Sequence, residues 1–168
     1  MFYTILNFPV GQVFLAKSDK GLSFASFIKN KRQLGEILDL FKKKQIRLEL
    51  DKKKFREEAR LFGRYFQGKK EDFASLQLDL GFGTDFQRRV WLEARKIPYR
   101  KTASYKSLAE RLKQKGYRSI GQALGRNPLL IVIPCHRVIC SDGSLGGFGS
   151  GLKLKEFLLG LEKGRARL

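Results

Sequence analysis

The sequence is poor in the residues that usually carry redox, metal or acidic chemistry. Its 168 residues include one histidine, two cysteines and one methionine, and only 16 Asp and Glu face 35 Lys and Arg. Two cysteines only five positions apart, at 135 and 140, argue against a disulfide framework, so we expect a reducing environment. No stretch approaches the roughly 18 continuous apolar residues of a membrane helix. The start, MFYTILNFPVGQ, lacks the features of a signal peptide, so we expect a cytoplasmic protein without membrane contact.

Positive charge is concentrated in the second half of the chain. Residues 1–80 hold 17 basic and 10 acidic side chains, a net charge of +7, whereas residues 81–168 hold 18 and 6, a net charge of +12. Between positions 100 and 137, nine basic side chains accompany one acid, Glu110. An excess of this size favours a polyanionic partner, because neutralising phosphates releases counterions. It indicates nucleic-acid binding, with a well-solvated basic surface as the alternative.

The first 80 residues predict a small domain of strands and helices. Residues 3–8 and 12–17 have the pattern of a hairpin, and residues 22–28, 46–50 and 75–80 are further strand candidates. Apolar residues recur at helical spacing over 34–41 and 55–66. No set of residues in this half suggests chemistry, and we expect its aromatic side chains to form the core.

The segment GFG at 81–83 predicts the start of a second domain, covering residues 81–168. Thr84 and Gln87 form a capping-box pattern that opens a helix. Ser104 caps a helix predicted to reach about residue 114, and a second helix is predicted over about 118–126. Two short basic helices joined by a glycine-containing turn are typical of a helix-turn-helix. The second helix is rich in small residues, at 119, 121, 123 and 125, which favours contact with DNA backbone and shape over base-sequence readout.

The segment IVIPCHRVIC, at 131–140, holds the only histidine and both cysteines. Residues 129–133 predict a buried strand that Pro134 ends, so Cys135 and His136 are expected where the chain leaves a sheet. Three potential ligands so close together are too few for a structural zinc, and the spacing differs from the Cys-x-x-Cys of thiol–disulfide enzymes. A nucleophilic thiol remains, with Cys135 and His136 as packed core residues being the alternative.

A thiol nucleophile needs a base and an orienting group. His136 could take the proton of Cys135 directly or through a water, and Arg137 would favour the thiolate. After residue 137, the carboxylates available to orient the imidazole are Asp142, Glu156 and Glu162.

The segment NPLLIVIPCHRVICSDGSLGGFGSGLKLKEFLLGLE closely resembles the active-site segment of the O6-alkylguanine-DNA alkyltransferases, and the resemblance covers about residues 81–162. It implies an α/β protein: a ribonuclease H-like sheet with helices, followed by a mostly helical, winged helix-turn-helix-like domain that carries the active site. The implied activity is direct-reversal repair without a cofactor. An alkyl group moves irreversibly from O6-alkylguanine, with O4-alkylthymine as a further candidate lesion, to a cysteine. The implied partner is double-stranded DNA, bound by a monomer in the minor groove independently of sequence, with the damaged base flipped out.

The resemblance also implies roles for single residues. Cys135 matches the alkyl acceptor, His136 the general base acting through a water, and Glu156 the carboxylate that orients the histidine. Asn127 matches the asparagine that ties the recognition helix to the nucleophile loop. Tyr105 matches the tyrosine that protonates or hydrogen-bonds the departing guanine and crowds the phosphate during base flipping. Contacts with DNA are expected from Arg118, which fills the vacated base stack, and from Tyr105, Lys106, Ser119, Gln122, Arg126 and Ser141. The base pocket is expected to include Val138, Phe148, Gly149 and Ser150. No metal site is expected, because residues 1–80 contain no Cys or His.

Three other functions are compatible with parts of the pattern. A non-catalytic lesion binder of the alkyltransferase-like type would share the scaffold, but Cys135 stands where such proteins have another residue. A helix-turn-helix regulator would leave Cys135 and His136 as packing residues. A self-methylated activator would need a further regulatory domain, for which we expect no room in 168 residues. We expect a repair protein located in the cytoplasm at the nucleoid, or in the nucleus of a eukaryote.

Overall fold

The computed structural model describes residues 1–165, and its first half is built on a four-stranded sheet. β1 (Phe2–Phe8), β2 (Gly11–Ser18) and β3 (Gly21–Ile28) pair as consecutive antiparallel hairpins, and the short β4 (Glu49–Leu50) runs parallel to β1. The order across the sheet is β3-β2-β1-β4. The strand predicted over 46–50 is therefore shorter than expected, and the one predicted over 75–80 is reduced to a single bridge between Leu78 and Leu22.

Two helices cover opposite faces of this sheet. α1 (Lys31–Lys43) is capped by the side chain of Asn30, and α2 (Arg56–Phe66) follows one 3₁₀ turn over Lys52–Phe55. Successive side chains of β2 point to opposite faces, so Val13 and Leu15 join the core under α2 whereas Phe14 and Ala16 join the core under α1. Burial on both faces explains why β2 is continuously apolar over residues 13–16.

The second half is mostly helical. It contains α3 (Asp85–Arg95), α4 (Tyr105–Arg111), α5 (Tyr117–Gly125) and α6 (Leu152–Glu162), with β5 (Ala103–Ser104) and β6 (Val138–Ile139) forming a two-stranded parallel sheet. α3 starts with the expected capping box of Thr84 and Gln87. α4 and α5 pack together as the expected helix pair, and the indole of Trp91 on α3 donates to the carbonyl of Ala123 on α5 at 2.7 Å.

Residues 129–133 are buried, but they form a tight turn and not the predicted strand. The amide of Ile133 donates to the carbonyl of Leu129 at 2.8 Å, and Ile131 has a φ of 74°, which is rare for a β-branched residue. The turn is held against β3, because the amide of Leu130 donates to the carbonyl of Ala25 at 3.0 Å. Contacts with another element thus override the strand preference of this apolar run.

One apolar core links the two halves. The cluster under α2 continues without interruption to Trp91, Ile133 and Cys135 in the second half. Within residues 1–165, no helix is both long and apolar enough to cross a membrane. The same part of the chain holds no group of three or more His, Cys, Asp or Glu side chains placed to bind a metal.

Candidate active site

Cys135 lies directly after the buried turn. Pro134, with φ −80° and ψ 60°, forms a three-residue turn in which the amide of Cys135 donates to the carbonyl of Ile133 at 2.8 Å. A single 3₁₀ turn over Cys135–Arg137 follows. Cys135 is only 5 % exposed, so its thiol is reached through a pocket and not from the open surface.

Asn127, just beyond the end of α5, fixes the position of this thiol. Its side-chain oxygen accepts from the amide of Leu129 at 2.9 Å, and its amide nitrogen donates to the carbonyl of Ile133 at 2.9 Å. The same nitrogen lies 3.1 Å from Sγ of Cys135. Asn127 therefore connects α5, the buried turn and the thiol.

His136 is fully buried and has one nitrogen paired and one free. Its Nε2 lies 2.8 Å from Oε1 of Glu162, whereas its Nδ1 has no hydrogen-bond partner among the described residues. A carboxylate can only accept, so Nε2 carries the proton and Nδ1 presents a lone pair. Burial lowers the pKa of His136, and Glu162 only partly opposes this effect, so the ring is neutral at rest.

The orienting carboxylate is Glu162, and the prediction of Glu156 for this position is wrong. Both residues lie on α6, but six residues correspond to about 240° around an α-helix, so the two side chains point in different directions. Glu156 is exposed, whereas Glu162 is buried. Asp142, the third carboxylate considered, is also exposed and accepts hydrogen bonds from Ser144.

Glu162 accepts hydrogen bonds from several groups besides His136. Arg137 donates from Nε and Nη2 at 2.9–3.1 Å, the backbone amide of Arg100 donates at 3.0 Å, and the hydroxyl of Tyr65 donates at 2.9 Å. Burial alone would raise the pKa of Glu162, but the hydrogen bonds and charges of His136 and Arg137 lower it to about 2. The expectation that Arg137 assists the thiolate is therefore wrong, because its guanidinium is bound to Glu162 and to the carbonyl of Ile97.

Lys155, which is not among the predicted site residues, supplies the positive charge near the thiol. Its ammonium is buried and donates to the carbonyls of Val138 at 2.6 Å, Leu145 and Gly147 at 3.3 Å. Burial raises the pKa of Cys135, while the Asn127 hydrogen bond and the Lys155 charge act in the opposite direction. The resting thiol is thus protonated and needs a base to become a nucleophile.

A periodic signal could have identified Lys155 and Glu162. On α6, Lys155, Leu158, Leu159 and Glu162 follow the i, i+3, i+4, i+7 spacing of an inward-facing stripe, and all four are buried. Glu156 lies outside this stripe. A charged residue at an inward-facing helical position must be paired with another buried group, which makes it a candidate for the site. This position on the helix is a better indicator than how close a carboxylate lies to Cys135 in the sequence.

A cavity of about 400 Å³ opens onto Cys135. It is bounded by Arg118 and Gly121 of α5, by Tyr105 of α4, and by the glycine-rich loop segment 146–149, which includes Phe148. The hydroxyl of Tyr105 lies 3.5 Å from the ammonium of Lys155. Burial, together with the nearby thiols, raises the pKa of Tyr105, so its hydroxyl remains a proton donor. The cavity size is within the range of pockets that enclose small organic ligands.

The other predicted pocket residues divide into two pairs. Phe148 and Gly149 line the main cavity. Val138 and Ser150 do not: the carbonyl of Val138 accepts from Lys155, and the carbonyl of Ser150 accepts from Lys29 at 2.7 Å. Ser150 lines an adjoining cavity of about 250 Å³ that also contacts Cys135.

The residues predicted to contact DNA are mostly exposed. Ser119 is half-buried, and its hydroxyl donates to the carbonyl of Gly116 at 3.1 Å in the first turn of α5. Not all small residues of α5 face outward, because Ala123 is buried. The exposed members of the predicted set are Lys106, Arg118, Gln122, Arg126 and Ser141.

A buried thiol with a neutral imidazole and a carboxylate behind it, at a pocket beside a basic helix pair, defines a DNA-binding protein with a nucleophilic cysteine. Comparison with known families narrows this class. Residues 1–80 match the ribonuclease-like domain of 6-O-methylguanine DNA methyltransferase, and residues 85–164 match the DNA binding domain of the same family. The chain belongs to the 6-O-methylguanine DNA methyltransferase family.

Relatives resemble the chain over its whole length. It is 45% identical over 168 residues to a methylated-DNA–protein-cysteine methyltransferase of Methanosarcina barkeri, covering 99% of this chain and 100% of that protein. It is 38% identical to the protein of the same name from Sulfolobus acidocaldarius, covering 95% and 92%. Among solved structures, Mycobacterium tuberculosis OGT in complex with DNA has a TM-score of 0.82 and 33% identity, covering 99% of this chain and 96% of that one.

Proposed function

We propose that this protein repairs alkylated DNA directly, by transferring the alkyl group of O6-alkylguanine to Sγ of Cys135. A sulfur–carbon bond forms, the carbon–O6 bond breaks, and normal guanine is restored. The resulting thioether is not hydrolysed, so each molecule acts once. The observation that carries the proposal is a buried thiol at the pocket, beside a buried His136 whose Nδ1 has no partner among residues 1–165.

The proton of Cys135 moves to His136 as the thiol attacks. Nδ1 is the nitrogen with a free lone pair, and a water between Sγ and Nδ1 would relay the proton. The imidazolium that forms is stabilised by Glu162, whose Oε1 lies 2.8 Å from Nε2. Burial favours a neutral cysteine and a neutral histidine before reaction, so thiolate forms during alkyl transfer and is not stored.

The departing guanine needs a proton, because it would otherwise leave as an anion. Tyr105 is the candidate donor, at N3 of the base. Lys155 stands 3.5 Å from its hydroxyl and would stabilise the phenolate that remains. No cofactor enters the reaction, since the alkyl group comes from the lesion.

DNA binding places α5 in the minor groove, and the damaged nucleotide rotates out of the duplex into the pocket. Arg118, exposed at the pocket mouth, fills the space left in the base stack. The exposed side chains of Lys106, Gln122, Arg126 and Ser141 and the half-buried Ser119 contact the backbone without reading sequence. The protein acts as a monomer on DNA, in the cytoplasm at the nucleoid or in a nucleus. The division into domains at residues 1–80 and 81–168 stays a prediction.

Intact-mass spectrometry after incubation with a duplex containing one O6-methylguanine tests the proposal. The protein should gain the mass of one methyl group and no more, however large the excess of duplex. Tight binding without a mass change would instead indicate a lesion-binding protein. Binding that ignores the lesion and prefers one DNA sequence would indicate a regulator.

A further inference from the structure

Tyr65 is a buried titratable residue that the proposed mechanism does not use. It lies on α2, in the half of the chain where the sequence suggested no chemistry, and it is fully buried. Its ring packs against Phe73 and Tyr99, with ring centroids 5.8 and 6.2 Å away. Its hydroxyl lies 2.9 Å from Oε1 of Glu162 and 3.3 Å from Nε2 of His136. The first half of the protein therefore reaches the catalytic base directly.

The hydroxyl oxygen of Tyr65, Oε1 of Glu162 and Nε2 of His136 permit one arrangement of protons. Burial and the Glu162 charge raise the pKa of Tyr65 well above its ordinary value, so the phenol keeps its proton and donates it to the carboxylate. Nε2 of His136 then donates to the same carboxylate oxygen, with the phenol oxygen as a second, longer acceptor. This arrangement holds the histidine proton on Nε2 and leaves Nδ1 free.

We infer that Tyr65 is a positioning residue through which the first half of the protein sets the base strength of His136. The Tyr65 hydroxyl donates a hydrogen bond to Glu162 and so partly neutralises the charge of the carboxylate. The carboxylate can then orient the imidazole of His136 without raising its pKa as far as an unshielded carboxylate would. The consequence for the repair rate rests on the proposed function, but the effect on His136 itself does not.

Removing the hydroxyl has two opposing effects. Loss of the donor at 2.9 Å concentrates charge on Oε1 of Glu162, which favours the imidazolium, whereas loss of the acceptor at 3.3 Å disfavours it. The shorter bond dominates, because hydrogen bonds to a charged group are the stronger ones. We therefore expect the pKa of His136 to rise by about one unit in Tyr65→Phe. A shift of that size corresponds to a free energy close to the net contribution of one hydrogen bond to a charged group. The other charged groups that act on the ring, and that stay unchanged, are Glu162, Arg137 and Lys155.

Because His136 is the only histidine, NMR of nitrogen-15-labelled protein reports its protonation without ambiguity. We would titrate wild type, Tyr65→Phe and Tyr99→Phe. Tyr99→Phe is the matched control, since it loses a hydroxyl bond of 3.0 Å to the carbonyl of Gly68 in the same aromatic cluster. The inference expects an upward shift only in Tyr65→Phe. An unchanged or lowered pKa, or an equal shift in the control, would overturn it.

Two further readouts keep the inference testable. In single-turnover alkyl transfer, the acidic limb of the rate profile should move to higher pH in Tyr65→Phe by the same amount as the pKa of His136. If wild type transfers no alkyl group, the proposed function fails while the NMR result still decides the role of Tyr65. Should Tyr65→Phe not fold, a slowly exchanging tyrosine hydroxyl proton with a nuclear Overhauser effect to the His136 ring is required in wild type, and its absence refutes the inference.

Discussion

Replacing Glu162 by Gln tests the corrected assignment of the orienting carboxylate most sharply. The change removes the charge that faces the imidazolium at 2.8 Å and leaves the guanidinium of Arg137 buried beside a neutral amide. Breaking a buried ion pair costs about 3–5 kcal/mol, so the variant should be less stable by about 3 kcal/mol. Loss of imidazolium stabilisation should slow alkyl transfer by about 100-fold, equivalent to about 2.7 kcal/mol in the barrier.

Glu156→Gln is the matched control on the same helix. Its side chain is exposed, so its free energy of unfolding should stay within about 0.5 kcal/mol of wild type and its rate should be unchanged. Rapid-quench single-turnover assays and urea unfolding measure both quantities. A rate loss in Glu156→Gln, or wild-type transfer by Glu162→Gln, would refute the assignment.

Three further predictions concern the pocket and the buried carboxylate. Arg118→Ala should slow repair of duplex far more than reaction with the free modified base, and equal losses would refute its role in filling the stack. Gly146→Ala should slow transfer at least tenfold, because φ is +64° and the new Cβ would lie 2.9 Å from a Tyr105 ring carbon, whereas Gly147→Ala meets no atom within 4 Å and should retain the wild-type rate. The pKa of Glu162 is lowered on folding to about 2, so its stabilisation is complete above its unfolded pKa, about 4.3, and is lost as the pH falls from there to about 2. Urea unfolding between those pH values should show this loss of stability in wild type. If the stability of Glu162→Gln fell equally over the same pH range, the loss could not be attributed to Glu162.

Local signals in the sequence predicted the elements that depend on local physics. The hairpin of β1 and β2, the capping box of α3 and the pair α4 and α5 follow from turn residues, caps and periodicity. The thiol and the histidine were found because both are rare in this chain and adjacent. The role of Asn127 stays a prediction; its side-chain nitrogen lies 2.9 Å from the carbonyl of Ile133 and 3.1 Å from Sγ of Cys135.

The missed features depend on contacts between distant parts of the chain. The apolar run 129–133 has strand preference, but its pairing with β3 near Ala25 turns it into a tight turn. Glu162 is the exception, because the inward-facing stripe of α6 distinguishes its direction from that of Glu156 without any distant contact. The role of Tyr65 could not be predicted at all, because 71 residues separate it from His136 and its neighbours in sequence are ordinary core residues.

The measurement that tests the central claim most directly identifies the atom that receives the alkyl group. The protein would be incubated with duplex carrying radiolabelled O6-methylguanine, digested and mapped, with Cys135→Ser and Cys140→Ser as parallel variants. Both sulfurs line the same cavity, so the pair distinguishes a specific acceptor from general thiol reactivity. One methyl group per chain on Cys135, retained in Cys140→Ser and absent in Cys135→Ser, is the predicted result. Label on Cys140, or none on either sulfur, would contradict the account.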